Sequence, residues 1–387
     1  MKNKIIAFVF LAVLTVFFLF TFNIEALNTS AKACIVMEVN SGRVFYSKNQ
    51  YQHLPLASTT KILTSLVIAE NCNLNDVVEI PQKAVGVEGS SVYLRKGEHL
   101  TVKELLYGLM LRSGNDCAVS LALHAAGSIE NFAKMMNEKA KSLGCENSNF
   151  TNPHGLPDDN HYTCAKDLGL ISCEAMRNPI VKEIVSSKSK TIANEGYSYD
   201  RLLKNKNKIL FNYDGANGVK TGYTKKAGRC FVGAAERDGM QLVVVLLNCG
   251  PMFEESVELM DDIFEQYQMC DLKTIFGIPE QVEVLKGKAN FVDSNLKNTN
   301  LFYPLKKDGS EKRKVSVNSK VIHNLIAPVE KGKTIGEIDI SFDNQLIFSS
   351  KICTLNAVGK AGFFDNIFNS GKKQNDSSEQ IHGGLRS

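Results

Sequence analysis

From Ser58 to about Glu70 the apolar residues Ile62, Leu63, Leu66, Val67 and Ile68 recur with the spacing of one helix face. Ahead of them, KACIVMEVNSGRVFYSKN predicts two strands around a turn at Asn40-Ser41-Gly42. TVKELLYGLMLRS opens with Thr101 and Glu104 in capping-box spacing, so a helix begins there. NDCAVSLALHAAG predicts a helix ending at Gly127, and IENFAKMMNEKAKSLG an amphipathic helix closed by Gly144. Loops rich in Asn, Pro, His and Gly follow, up to about Thr163. From Lys208 the pattern turns to strands: GVKTGYT, then RCFVGAAERDG and MQLVVVLLNC joined at Asp238-Gly239. FEESVELMDDIFEQYQM predicts a last helix packing back on the sheet. Helices in the middle with strands at both ends give an α+β domain, with helices on an antiparallel sheet that joins the two halves of the chain.

Beyond about Cys270 the texture changes to short strands broken by Gly, Asn and Asp: QVEVLKGKANF, KRKVSVNSKV, NLIAPVEKGKTIGEIDISF and QLIFSSKIC. These predict a small all-β sandwich domain. The expected organisation is a leader over 1–26, a catalytic domain over 27–269, the β-domain over 270–358, and a short amphipathic segment with a polar, disordered tail over 359–387. The leader shows two lysines, an apolar run from Ile5 to Phe22 and a small-residue exit at Ala26, the layout of a secretory signal. The run is also long enough to span a bilayer as an uncleaved anchor. Either way the remainder is exported. Near the C-terminus, Phe363, Phe364, Ile367 and Phe368 fall on one face of a short helix that would touch a membrane or dock on the β-domain.

Composition narrows the function classes. At 387 residues, 44% hydrophobic and 22% charged, the chain is globular and long enough for two cores. A net charge of +4 is too small to argue for nucleic acid, and the lysine cluster LLKNKNKIL at 202–210 lacks interleaved aromatics, so it reads as a solvated hairpin or loop. Ten cysteines are scattered from Cys34 to Cys353 without CxxC or matching His spacing, so no metal site and no cofactor is predicted. An exported location favours disulfides and the pattern does not, which leaves pairing open.

Candidate chemistry sits in LASTTKILTSL. Ser58 and Lys61 stand three apart at a helix start, so one side chain lies within reach of the other. A serine nucleophile needs a base, and a lysine serves as one only when burial or a second cation keeps it neutral. That requires another positive group in the site, a proton carrier and oxyanion donors. Two later stretches supply these types: LRSGNDCA places Ser113 and Asn115 on a turn between helices, and NGVKTGYT places Lys220 and Thr221 on a strand beside Gly222 and Tyr223. Each fragment has an ordinary alternative. Ser58 would be a helix cap beside a surface lysine, SGN a turn, and KTG a strand edge with a gatekeeping lysine. Those alternatives leave unexplained why the three pairs fall in this order on these three kinds of element.

The set STTK, SGN and KTG resembles the three motifs of the penicillin-recognising serine enzymes. Its surroundings, LLYGLMLRSGNDCAVSLA, FTNPHGLPDDNHYTCAKDLGLI, GVKTGYTKKAGRCFVGAA and APVEKGKTIGEI, are similar to low-molecular-weight penicillin-binding proteins acting as serine-type D-Ala-D-Ala carboxypeptidases. The resemblance runs from about Ala31 to Val358. It implies a penicillin-binding-protein/β-lactamase-like fold and an exported enzyme at the outer face of the membrane, in the wall, or secreted. It also implies peptidoglycan stem peptides ending in D-Ala-D-Ala as substrate and β-lactams as covalent inhibitors. Ser58 would attack, with Lys61 as base. Ser113 and Asn115 would relay a proton and hold the peptide, Lys220 would keep Lys61 neutral, and Thr221 would bind the terminal carboxylate. The amides of Ser58 and Tyr223 would form the oxyanion hole. His154, in PHGL, would order its loop, and Cys117 would be open to thiol reagents. In YSYDRLL the sequence departs from relatives, so Arg201 is not assigned to the carboxylate. The absence of a Glu-x-x-Leu-Asn loop and the presence of an extra β-domain argue against a class A β-lactamase. A DD-endopeptidase and a non-hydrolytic wall-binding protein remain the alternatives.

Overall fold

Strand β1 (Ala33–Glu38) turns back as β2 (Val44–Lys48), the two-strand start that the sequence predicts. The computed structural model describes residues 28–276, 280–322 and 324–362. The predicted leader over 1–26 and the Phe363-Phe364-Ile367-Phe368 face with its tail lie outside the described residues. No helix among the described residues is long and apolar enough to cross a membrane.

After a single 3-10 turn at Ala57–Thr60 the chain enters helix α1 (Lys61–Asn71). Helix α2 (Val102–Tyr107) starts with the expected capping box. Thr101 accepts from Glu104 N, and the Glu104 carboxylate accepts from Thr101 N. Helices α3 (Asn115–Ala126), α4 (Ile129–Ser142), α5 (Ala165–Arg177) and α6 (Pro179–Ser186) complete the middle of the chain. Strands β3 (Ala216–Thr224), β4 (Gly228–Arg237) and β5 (Met240–Leu247) follow, and β4 turns into β5 through Asp238 and Gly239, both with positive φ.

One sheet runs in the order β2-β1-β5-β4-β3, so the early strands (33–48) and the later ones (216–247) meet at β1 and β5. Every residue of β5 is buried, as expected for a strand covered on both faces, and this accounts for its unbroken apolar run. Strand β3 lies at the open edge. Its neighbour in space is the Ala57–Thr60 turn, and this approach creates the functional cleft. Helix α7 (Met252–Gln266) ends earlier than its sequence suggests. Tyr267–Asp271 pairs antiparallel with Phe302–Lys306 instead of continuing the helix.

The chain divides into two compact units, one holding residues up to 37, 44–235 and 242–262, the other 38–43, 236–241 and 263 onward. The second unit carries a six-stranded sheet from residues 281–354 and the two-stranded 267–271/302–306 sheet. Leu272, Tyr303 and Leu305 share one core with Val282, Val292, Ile338, Ile340 and Ile352. All ten cysteines are free thiols, seven of them buried, where a thiol behaves as a small hydrophobe.

Candidate active site

The 3-10 turn that carries Ser58 is held from below. Ala57 adopts a left-handed φ of 48°, which a non-glycine residue keeps only when its surroundings enforce it. Thr60 Oγ1 donates to the Ala57 carbonyl at 2.8 Å and meets His161 Nε2 at 2.9 Å, while His161 Nδ1 accepts from Thr151 N at 3.0 Å. The imidazole is therefore the neutral tautomer with its proton on Nε2, in keeping with a pKa that burial pushes down to about 4. Gly155 closes on the same turn so tightly that a Cβ there would stand 1.9 Å from the Ala57 oxygen.

Lys61, the first residue of α1, is fully buried. Its Nζ lies 2.7 Å from Asn115 Oδ1, 2.7 Å from the His154 carbonyl and 3.2 Å from Ser58 Oγ. Asn115 Nδ2 donates to the Glu88 carbonyl, which fixes the amide with its oxygen toward the lysine. Burial, followed by the positive charge of Lys220, holds Lys61 well below the usual lysine range. Lys220, on β3, is itself lowered to about 7 by burial and by Lys206, and its Nζ donates to the Thr221 carbonyl at 2.9 Å.

Ser113 and Asn115 follow a π-helical turn (Gly108–Arg112), a geometry that inserts an extra residue and often marks functional sites. Ser113 takes a left-handed φ of 66°, and its Oγ is buried with no hydrogen-bond partner among the described residues. Ser113 also lines the cleft, so that hydroxyl is left for solvent or a bound group to pair. Next to it, buried Asp116 accepts from Val92 N, Leu94 N and Ser91 Oγ, tying the 90–94 loop to the start of α3. Gly222 lets β3 approach the serine turn, since a Cβ there would lie 2.9 Å from Ser58 N. Ser58, Ser90, Ser113, Lys206, Thr221, Gly222, Tyr223, Arg229, Met252 and Phe253 line one cleft of about 340 Å³.

The family model for D-alanyl-D-alanine carboxypeptidase matches residues 21–250, and that for the penicillin-binding protein 5 C-terminal domain matches residues 264–360. The chain belongs to the D-alanyl-D-alanine carboxypeptidase family. The enzyme is thus a serine peptidase with a β-sheet domain after its catalytic domain. It is 32% identical over 341 residues to the D-alanyl-D-alanine carboxypeptidase DacF of Bacillus subtilis, covering 86% of this chain and 87% of the relative. Among solved structures, penicillin-binding protein 5 from Haemophilus influenzae superposes with a TM-score of 0.70 at 28% identity, covering 87% of this chain and all of that one. A D-alanyl-D-alanine carboxypeptidase from Mycobacterium tuberculosis matches with a TM-score of 0.60 at 32% identity, over 63% of this chain and 95% of that one.

All eight residues singled out in the enzyme's three motifs come together: Ser58, Ser113, Thr221, Gly222 and Tyr223 on the cleft, Lys61, Asn115 and Lys220 behind it. Two other readings change, and Arg201, left unassigned from sequence, finds its partner. The 202–210 segment is not simply a solvated loop, because Asn205 and Asn207 are buried and Lys206 lines the cleft, its Nζ donating to Ser90 Oγ at 3.2 Å. Cys117 is buried under Gly108 and Gly114 rather than open to reagents. Arg201 forms an ion pair with buried Glu98 and also donates to the Ala193 and Tyr93 carbonyls, a structural role. His154 contributes its carbonyl to Lys61, while its ring Nδ1 accepts from Leu156 N.

Proposed function

We propose that Ser58 Oγ attacks the carbonyl of the penultimate D-alanine of a peptidoglycan stem pentapeptide while neutral Lys61 takes the hydroxyl proton. The amides of Ser58 and Tyr223 would hold the developing oxyanion, with Gly222 leaving room for that approach. The terminal carboxylate would lie against the Thr221 hydroxyl, with Lys206 and Arg229 supplying positive charge. Ser113, backed by Lys220, would pass the proton to the departing D-alanine amine. Water then cleaves the ester and restores Ser58. A β-lactam amide enters the same sequence and stops at the acyl-enzyme. The reaction takes place on the wall, outside the cytoplasm, and the 1–26 segment is assigned as export signal or membrane anchor.

The observation that carries this reading is the surroundings of Lys61. Holding an ordinary lysine neutral at pH 7 costs about 4.6 kcal/mol, at 1.36 kcal/mol per pKa unit. Burial and the neighbouring cations are the two means of offsetting that cost, and both are present. The test is release of free D-alanine from a peptide ending in Lys-D-Ala-D-Ala, by the chain and by Ser58→Ala. Release that vanishes in the variant supports the assignment. No release from the intact chain, despite labelling by fluorescent penicillin, would turn the case toward a DD-endopeptidase or a wall-binding protein with an acylable serine.

A further inference from the structure

Two loops outside the catalytic groups expose aromatic rings together. Tyr93 is 83% exposed and sits at a positive φ of 61°, three residues beyond Ser90 in the cleft wall. Tyr197 and Tyr199 are 53% and 64% exposed, with ring centroids 5.4 Å apart and planes tilted by 50°. The loops are bound to each other. Arg95 lies 4.2 Å over the Tyr197 ring and donates to the Glu195 carbonyl. Arg201 donates to the Tyr93 carbonyl at 3.2 Å and to the Ala193 carbonyl at 3.0 Å, and His99 N donates to Glu195 Oε2 at 2.7 Å. Large aromatic rings left in water on two loops tied together by an ion pair, one of which runs into the cleft wall at Ser90, are the makings of a recognition surface.

We propose that Tyr93, Tyr197 and Tyr199 form a landing platform for the sugar rings of the glycan strand that carries the stem peptide. This rests on the carboxypeptidase reading and adds a second contact to it. A pyranose ring presents a face of C–H groups with slight positive charge, which suits the negative face of a tyrosine ring, and the phenol hydroxyl reaches sugar hydroxyls at the edge. Reach agrees. Four stem residues separate the attacked carbonyl from the glycan, about 14 Å when extended at ~3.5 Å each. The Tyr93 backbone, three residues from Ser90, lies at most about 11 Å from that wall of the cleft. A sugar held there would leave the D-Ala-D-Ala end free to enter the cleft.

The experiment compares a free pentapeptide with the same peptide on its disaccharide, using the full chain. The intact enzyme should favour the disaccharide form by about 10-fold in kcat/KM, through KM, a difference of about 1.4 kcal/mol. Y197A/Y199A should lose that preference while keeping the free-peptide rate and the melting temperature, and Y197F/Y199F should retain it. An intact enzyme indifferent to the sugar, or an alanine variant that loses both substrates equally, overturns the proposal. Calorimetry with a peptide-free N-acetylhexosamine oligosaccharide separates it from the carboxypeptidase reading. Binding that Y197A/Y199A abolishes supports the platform even if no D-alanine is released, and no binding to the intact chain counts against it.

Discussion

Lys61 Nζ stands 3.2 Å from Ser58 Oγ, and its two other partners, Asn115 Oδ1 and the His154 carbonyl, are acceptors only. Those two contacts consume the two N–H groups of a neutral amine. The remaining direction, where the lone pair lies, is the one that faces the serine. An ammonium would instead donate a third N–H to Ser58 Oγ and have no lone pair with which to take the hydroxyl proton. The geometry thus serves a base, provided the amine is neutral, and burial with Lys220 nearby drives it that way.

Lys61→Arg is accordingly a sharper test than Lys61→Ala. Guanidinium keeps the charge at every working pH and has no lone pair to offer. Acylation by fluorescent penicillin should fall by 10²–10⁴-fold, the usual contribution of a general base. An arginine variant within a few-fold of the parent would remove Lys61 from the role of base.

How much of this was legible in sequence follows from distance along the chain. Ser58 and Lys61 are three residues apart, so helix geometry alone brings them together. Ser113 with Asn115, and Lys220 with Thr221, were legible as pairs because each is local too. Lys206 was not, since only the path of the 202–210 segment turns a lysine in a polar run into part of the cleft wall. Arg201 lies in a segment that departs from the family pattern, and its partner Glu98, 103 residues away, has no local signature. The helix reading through Tyr267-Gln268-Met269 failed because pairing with Phe302–Lys306 outweighed the helical pattern.

Two glycines should separate catalysis from folding. Gly222→Ala would press a methyl group toward Ser58 N, at 2.9 Å, on the side proposed for the oxyanion. A loss of 10-fold or more in kcat/KM is expected, with a loss of stability smaller than at Gly155, because backbone atoms at 2.9–3.1 Å must shift but the φ is ordinary. Gly155→Ala combines a left-handed φ of 86° with a 1.9 Å collision against the Ala57 oxygen, and should cost about 2–3 kcal/mol of stability as well as activity. Denaturant midpoints set beside D-alanine release would resolve the two, and equal destabilisation by both would refute the distinction.

Acid sensitivity should come from the loop beneath Ser58. Burial, as the largest cause, lowers His154 to about 3 and His161 to about 4. An unfolded histidine takes up its proton near pH 6.5. Below that pH the unfolded chain binds more protons than the fold, so stability is complete above about 6.5 and declines as the pH falls toward 4. Each histidine contributes at most about 1.4 kcal/mol per pH unit. Melting temperatures at pH 7, 6 and 5 should fall in that order, and His161→Gln should flatten the slope even if it lowers every value. An unchanged slope in the variant would contradict the assignment.

Arg201 offers the clearest separation of structure from substrate binding. Its partner Glu98 keeps only 2% of its side chain exposed, so removing the arginine strands a buried carboxylate. Arg201→Met should therefore cost about 3–5 kcal/mol, whereas Arg201→Met with Glu98→Gln should recover a large part of it, because the stranded charge is gone. At a temperature where both variants are folded, KM for a short D-Ala-D-Ala peptide should match the parent's. A KM raised 10-fold or more in both, with the double variant stable, would instead place Arg201 on the substrate carboxylate and require Glu98 to be its positioning partner.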